Sequence, residues 1–217
     1  SGATGVKAFD TQSDNGGVVL SAQDGRNIDI SFSTVTAAST GVADTGTYVG
    51  KFDLYSIDGS AIKLESKEDV VTTSQTDGIT KAGLRTGTFD GRSASAVTSM
   101  RATVQEGTGG SATNTVADVA GVLNGDTLVI NGIAIGAAVS TDDQFSYQYS
   151  STTTTGSQRS ASAIAIAAAI NKQSDRTGVK ATAEANVIRG ASFTPGGATA
   201  TAATITLNGA SITLADY

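Results

Sequence analysis

Thr204-Ile-Thr-Leu-Asn208-Gly209-Ala-Ser-Ile-Thr-Leu214 places two runs of alternating apolar and hydroxyl residues on either side of an Asn-Gly pair. A two-residue hairpin turn needs two consecutive positive φ angles, and Asn-Gly tolerates them better than other pairs. The stretch therefore predicts a β-hairpin. The same grammar recurs at Leu128-Val-Ile-Asn131-Gly132-Ile-Ala-Ile135, at residues 52–64 around Asp58-Gly59, and at residues 18–32 around Asp24-Gly25. In the last of these, Ile28, Ile30 and Phe32 alternate cleanly on the second arm. Worked outward from its turns, the chain reads as mainly β with a minor α component, an α+β fold of hairpin-rich modules.

One segment breaks the period of two. Residues 160–174 (SASAIAIAAAINKQS) hold the best helix formers of the chain, with Ile166 and Ile170 one turn apart. Lys172 and Arg176 fall where the helix end is electronegative, and Gly178 supplies a left-handed exit. This predicts a single short helix. Residues 93–105 (SASAVTSMRATVQ) fit helix or strand equally, and residues 150–157 form a polar tract expected to be an exposed loop.

Thr-Gly-Val-Lys-Ala occurs twice, at residues 4–8 and 177–181, which marks an internal repeat. The second copy follows a hairpin and the helix, so the first is expected to be the tail of an upstream module in a longer polypeptide. Two lobes follow from this. Residues 1–106 form a β-rich lobe that starts with that tail. Residues 107–217 form a second lobe with hairpin 123–136, helix 160–174 and strands at 177–190 and 204–214. Gly-rich stretches at 106–112 and 195–200 are the expected meeting places of the lobes.

Composition bounds the chemistry. The 217 residues include 26 Gly and one Pro but no Cys, His or Trp, and carry a net charge of −6. Ile, Leu, Val and Phe make up about 21% of the chain, enough for a folded core at so modest a charge. Without His or Cys there is no Ser-His-Asp triad, no Cys-His nucleophile, no imidazole or thiolate metal site and no disulfide. An acidic chain lacks the electrostatic footprint of a nucleic-acid binder, and no apolar run approaches the roughly 20 residues that span a bilayer. No nucleic-acid or membrane partner, no cofactor and no enzymatic activity are expected.

Lookalike motifs have plainer readings. Gly46-Thr-Tyr-Val-Gly50-Lys51-Phe52 is one residue short of a phosphate loop and puts Phe where a hydroxyl is needed, so a Gly-punctuated strand is expected. Gly107-Thr-Gly109-Gly-Ser-Ala112 has no βαβ context. Ser60-Ala-Ile-Lys63 has the spacing of a Ser-Lys pair, but on a strand residues three apart face opposite ways. The carboxylate pairs Asp142-Asp143 and Glu68-Asp69 read as solvated loops, and the acidic run 10–17 matches a calcium loop only out of register. No catalytic, cofactor or metal residue is assigned. Ser151, Thr152, Thr153, Thr154 and Thr155 offer hydroxyls for O-linked glycan.

Residues 124–136 (NGDTLVINGIAIG), then 162–171 (SAIAIAAAIN), then 177–181 (TGVKA) together resemble the flagellin and hook-associated "IN" module, named for its Ile-Asn pair. Here that pair stands at Ile130-Asn131 and again at Ile170-Asn171. Residues 20–28, with Asp-Gly-Arg-Asn-Ile, resemble a turn common in flagellins. The likeness covers about half the chain and leaves residues 53–121 without a recognised motif.

The resemblance implies the variable, surface-exposed outer domain of a bacterial flagellin, extracellular and structural, on the exterior of the motility filament. It further implies that partners are other flagellin subunits, joined through terminal helices absent from this chain, and that the isolated segment is a monomer. Within the same machinery a hook-associated or filament-cap protein fits. From another class, a carbohydrate-binding adhesin or phage-tail module would use Tyr147 and Tyr149 beside the Thr-rich tract, unless Phe145, Tyr147 and Tyr149 form one strand face.

Overall fold

A computed structural model of the protein describes residues 2–13, 15–33, 35–67, 79, 82–92, 97–99, 123, 125–148, 159–194 and 203–214. Its strands form four antiparallel sheets, and helices are few and short. The chain is mainly β with a minor α part.

The sheets fall into two units of the same design. The first unit joins β1 (Lys7–Asp10), β2 (Val18–Ala22) and β12 (Asn186–Ile188) in one sheet. Its second sheet has the order β14-β13-β3-β4, with β3 at Ile28–Ser33, β4 at Gly46–Tyr48, β13 at Ala203–Leu207 and β14 at Ala210–Leu214. The second unit joins β11 (Val179–Ala183), β5 (Phe52–Ser56) and β8 (Val97–Thr98). Its other sheet has the order β10-β9-β6-β7, with β6 at Ile62–Ser66, β7 at Gly87–Phe89, β9 at Leu128–Ile130 and β10 at Ile133–Ala134. Register repeats with order. Ile28, Asp29 and Ile30 face Tyr48, Thr47 and Gly46, as Ile62, Lys63 and Leu64 face Phe89, Thr88 and Gly87.

Each unit encloses its own core. Leu20, Ala22, Ile28, Ile30, Ile205 and Leu207 belong to the first, and Phe52, Leu54, Ile62, Leu64, Leu128 and Ile130 to the second. Both cores draw residues from both sides of position 106, because β11 returns to pair with β5 and β12 and β13 return to β2 and β3. The second core also receives α2 (Ala163–Asn171). Its Ser162 side chain accepts a hydrogen bond from the Ala165 N–H at the amino end, and Ile166 and Ile170 are fully buried. The expected helix over 160–174 is thus a 3₁₀ turn at Arg159–Ala161, then α2, then a one-turn α3 (Ser174–Thr177) that exits through left-handed Gly178. A one-turn α1 (Ala37–Thr40) lies in the first unit.

The Asn-Gly turns close hairpins as expected, with φ of 46° and 77° at Asn208 and Gly209 and 49° and 80° at Asn131 and Gly132. The Asp-Gly turns do not. β2 and β3 belong to different sheets, as do β5 and β6, so each Asp-Gly stretch is a corner carrying the chain from one layer of its unit to the other. Five residues separate the two strands at each corner instead of two, and Asp58 folds its corner by accepting the Ser60 N–H at 2.9 Å. Gly25 is further required by close approach, since a Cβ there would lie 2.7 Å from the Glu184 carbonyl oxygen.

Of residues 93–105, Val97–Thr98 is strand, and the rest, apart from Ser99, lies outside the described residues, as do both expected meeting places of the lobes.

Candidate functional site

The stretches that carry the resemblance converge on the second Thr-Gly-Val-Lys-Ala segment. Asn131 sits at the hairpin tip in left-handed conformation, which Asn adopts more readily than most side chains. Its Oδ1 accepts the Lys63 N–H at 2.7 Å, and its Nδ2 donates to the Thr177 carbonyl at 2.8 Å. Its own N–H donates to the Lys63 carbonyl at 2.9 Å. One residue thus ties the β9–β10 turn to β6 and to Thr177, the last residue of α3, just ahead of β11. Asn171, at the last turn of α2, grips the same segment further along. Its Nδ2 donates to the Ala181 carbonyl at 2.9 Å and its Oδ1 accepts the Ala181 N–H at 2.8 Å. In each pair the Ile is fully buried and the Asn fastens backbone.

The first unit repeats the hairpin clamp bond for bond. Asn208 Oδ1 accepts the Asp29 N–H at 2.7 Å, Asn208 Nδ2 donates to the Thr4 carbonyl at 3.0 Å, and the Asn208 N–H donates to the Asp29 carbonyl at 2.9 Å. Thr4 and Thr177 each accept the N–H of the Val two residues on, at 3.2 Å in both units.

Between the units, residues 143–147 press on the Asp24-Gly25 corner. Asp143 is buried, and its Oδ1 accepts the N–H groups of Phe145 and Ser146 at 2.8 and 2.9 Å. Ser146 Oγ accepts the Asn27 N–H at 2.8 Å, and the Ser146 carbonyl accepts from Arg159 Nε at 2.7 Å. Arg26 stacks over the Phe145 ring at 5.5 Å and pairs with Asp24. Burial pushes the Asp24 carboxyl upward, but the hydrogen bonds and charge of Arg26 outweigh it and hold the group below the usual carboxylate range.

Asp29 goes the other way. Burial raises its pKa above the ordinary 3.8, against a hydrogen bond from Thr47 that lowers it. An acid raised on folding leaves stability untouched below its unfolded value, and stability is lost as pH rises from there through the folded value. Asp29→Asn keeps an oxygen for Thr47 and removes the half-buried charge. This variant should melt above the parent at pH 7, with the gap closing as pH approaches about 3 in a calorimetric series. A gap independent of pH would contradict this reading.

The sequence candidates are dispersed. The glycan candidates Ser151, Thr152, Thr153, Thr154 and Thr155 lie outside the described residues, as do Glu68, Asp69, Tyr149 and residues 107–112. Gly46–Tyr48 is strand, as expected. Lys63 pairs with Glu65 at 2.8 Å, while the Ser60 N–H is taken up by the Asp58 turn. Asp142 and Asp143 are not a solvated pair: Asp142 bridges to Lys172 at 2.5 Å, and Asp143 is buried as the anchor of its turn. Phe145 and Tyr147 do not lie on a strand. Tyr147 packs on Gly209, where an added Cβ would run into its ring, and Phe145 is more than half exposed beside Arg26. The shared Asn-Gly signature marks Asn131 and Asn208 as like turns, but nothing local in it signals that their side chains clamp backbone far away in sequence. Comparison with known protein families, curated proteins and solved structures finds no match.

Proposed function

We propose that this chain is a surface-exposed structural module of a bacterial flagellar filament protein, from the variable outer region of a flagellin, extracellular and without a catalytic role. The observation that carries the proposal is the convergence of the Ile-Asn pairs. Asn131 and Asn171 both fasten the Thr177–Ala181 segment, so the three stretches of the resemblance are one physical assembly. Residues used as fasteners suit a module whose task is to hold a shape. The units are thin β-layers cornered by short turns, and β14 presents its Ser and Thr residues outward. Among the described residues no helix is long and apolar enough to cross a membrane. Partners in this reading are other flagellin subunits, engaged through terminal helices beyond this sequence.

Antibodies raised against the chain test the proposal by immunogold microscopy of the parent bacterium. Gold along the whole filament is expected. Gold confined to the hook or the tip would assign the chain to a hook-associated or cap protein, and gold on the cell envelope or on phage tails would overturn the flagellar reading. A glycan-binding module is less well supported, since Tyr147 is packed against Gly209. For the O-glycan proposal at residues 151–155, the intact mass of native material should exceed the sequence mass. Agreement with the bare mass would end it.

A further inference from the structure

The two units differ in one respect that their matching bonds make conspicuous. In the second unit, α2 lies along β11 and Ala181 is buried beneath it; in the first, its counterpart Ala8 is exposed, although Val6 is buried like its own counterpart Val179. The registers match, with Ala8 opposite Leu20 and Ala181 opposite Leu54, and both β1 and β11 are edge strands. The Ala181 N–H and C=O face outward to Asn171, so the same groups of Ala8 face outward from β1. The amino end of α2 is marked by Ala163 against Gly50. Gly50 corresponds to Gly16, because the Thr11 N–H donates to the Gly17 carbonyl as the Glu184 N–H donates to that of Lys51. At that end of β1 the first unit has an open pocket of about 470 Å³, lined by Asp10, Gln12, Ser13, Val18, Gly41 and Phe193.

We propose that the outer edge of β1, with the pocket at its end, is a docking site for a second short helix with the chemistry of Ser162–Asn171, apolar with Ala and Ile and ending in Asn, whose terminal amide brackets the Ala8 N–H and C=O. The template is the chain's own second unit. Charge agrees with it: the helix amino terminus, which carries partial positive charge, would arrive beside the Asp10 carboxylate. The occupant is a further segment of this kind and not α2 of a second copy, since Ile166 and Ile170 of α2 are fully buried in their own core and withdrawing them would empty it. The inference rests on the internal duplication and is independent of the flagellar reading.

The test appends a second copy of residues 137–173 to the carboxyl end of the full chain, placing the helix after β13–β14 as it lies after β9–β10. Tethering supplies a high effective concentration. Amide exchange followed by NMR should slow at Ala8 by about tenfold or more, with exchange at Ala181 unchanged. Making Asn171→Ala in the appended copy alone should abolish that slowing. Unchanged exchange at Ala8 with Ala181 still protected would overturn the proposal. So would disturbance at Ala181 alone, which would mean that the appended helix competes for the site α2 already occupies. A dimer of the unmodified chain by light scattering, with Ala8 protected, would overturn the choice of occupant in favour of a second copy.

Discussion

Asn208→Ala is expected to cost about 3 kcal/mol in urea unfolding, and Asn131→Ala about as much. The figure combines two hydrogen bonds of about 1 kcal/mol each with the loss of a side chain that eases a left-handed backbone, worth about 1 kcal/mol. The Asp29 and Lys63 N–H groups and the Thr4 and Thr177 carbonyls lose these partners in the variants. Asn→Asp is the sharper probe, because it retains the acceptor and the tolerance for positive φ. At neutral pH it replaces the donor to the Thr4 or Thr177 carbonyl with a second oxygen, so Asn208→Asp and Asn131→Asp should both be clearly destabilising. If either aspartate variant matched the parent, the amide donor would have no structural role and the clamp would be wrongly described.

Ile170→Ala should be the most damaging single truncation in the second unit, at about 3 to 4 kcal/mol, within the usual span for a buried Ile reduced to Ala. Its side chain is fully buried among Ile166, Leu54 and their neighbours in the second core. α2 also has only nine residues, too few to persist without tertiary contacts. The damage should therefore spread. Asn171 would lose its position on Ala181, and amide protection should fall along β11 before it falls along β3. Ile212→Ala, by contrast, removes a side chain that is 44% exposed on β14 and should cost well under about 1 kcal/mol. Comparable losses for the two variants would show that α2 is not part of the core.

Much of the fold was legible because turn chemistry is local. Asn-Gly with alternating flanks located the two hairpins closed by two-residue turns, and the Ala-Ile run located α2 with its Gly178 exit. The Asp-Gly stretches misled because the same dipeptide serves a corner as well as a hairpin, and partner choice is not local. β2 finds β12 and β5 finds β11 across more than a hundred intervening residues. The interleaving of the two cores was hidden for the same reason. The duplication was partly in view: Leu20, Asp24, Gly25 and Ile28 recur in order as Leu54, Asp58, Gly59 and Ile62, and Thr45-Gly-Thr as Thr86-Gly-Thr. The shared Asp-Gly grammar of residues 18–32 and 52–64 was visible as two like turns, and comparing the chain with itself extends the match to the flanking residues. Asp143 was misread because a carboxylate beside another carboxylate gives no sign that its own turn will bury it.

The most direct test of the account is to sequence the parent polypeptide on both sides of these 217 residues by mass spectrometry of the native protein. Long amphipathic helices with heptad-like apolar spacing on both flanks are expected, as a filament subunit with this chain as its exposed part requires. Flanks made of further strand repeats or of a membrane anchor would contradict the flagellar reading and favour an adhesin.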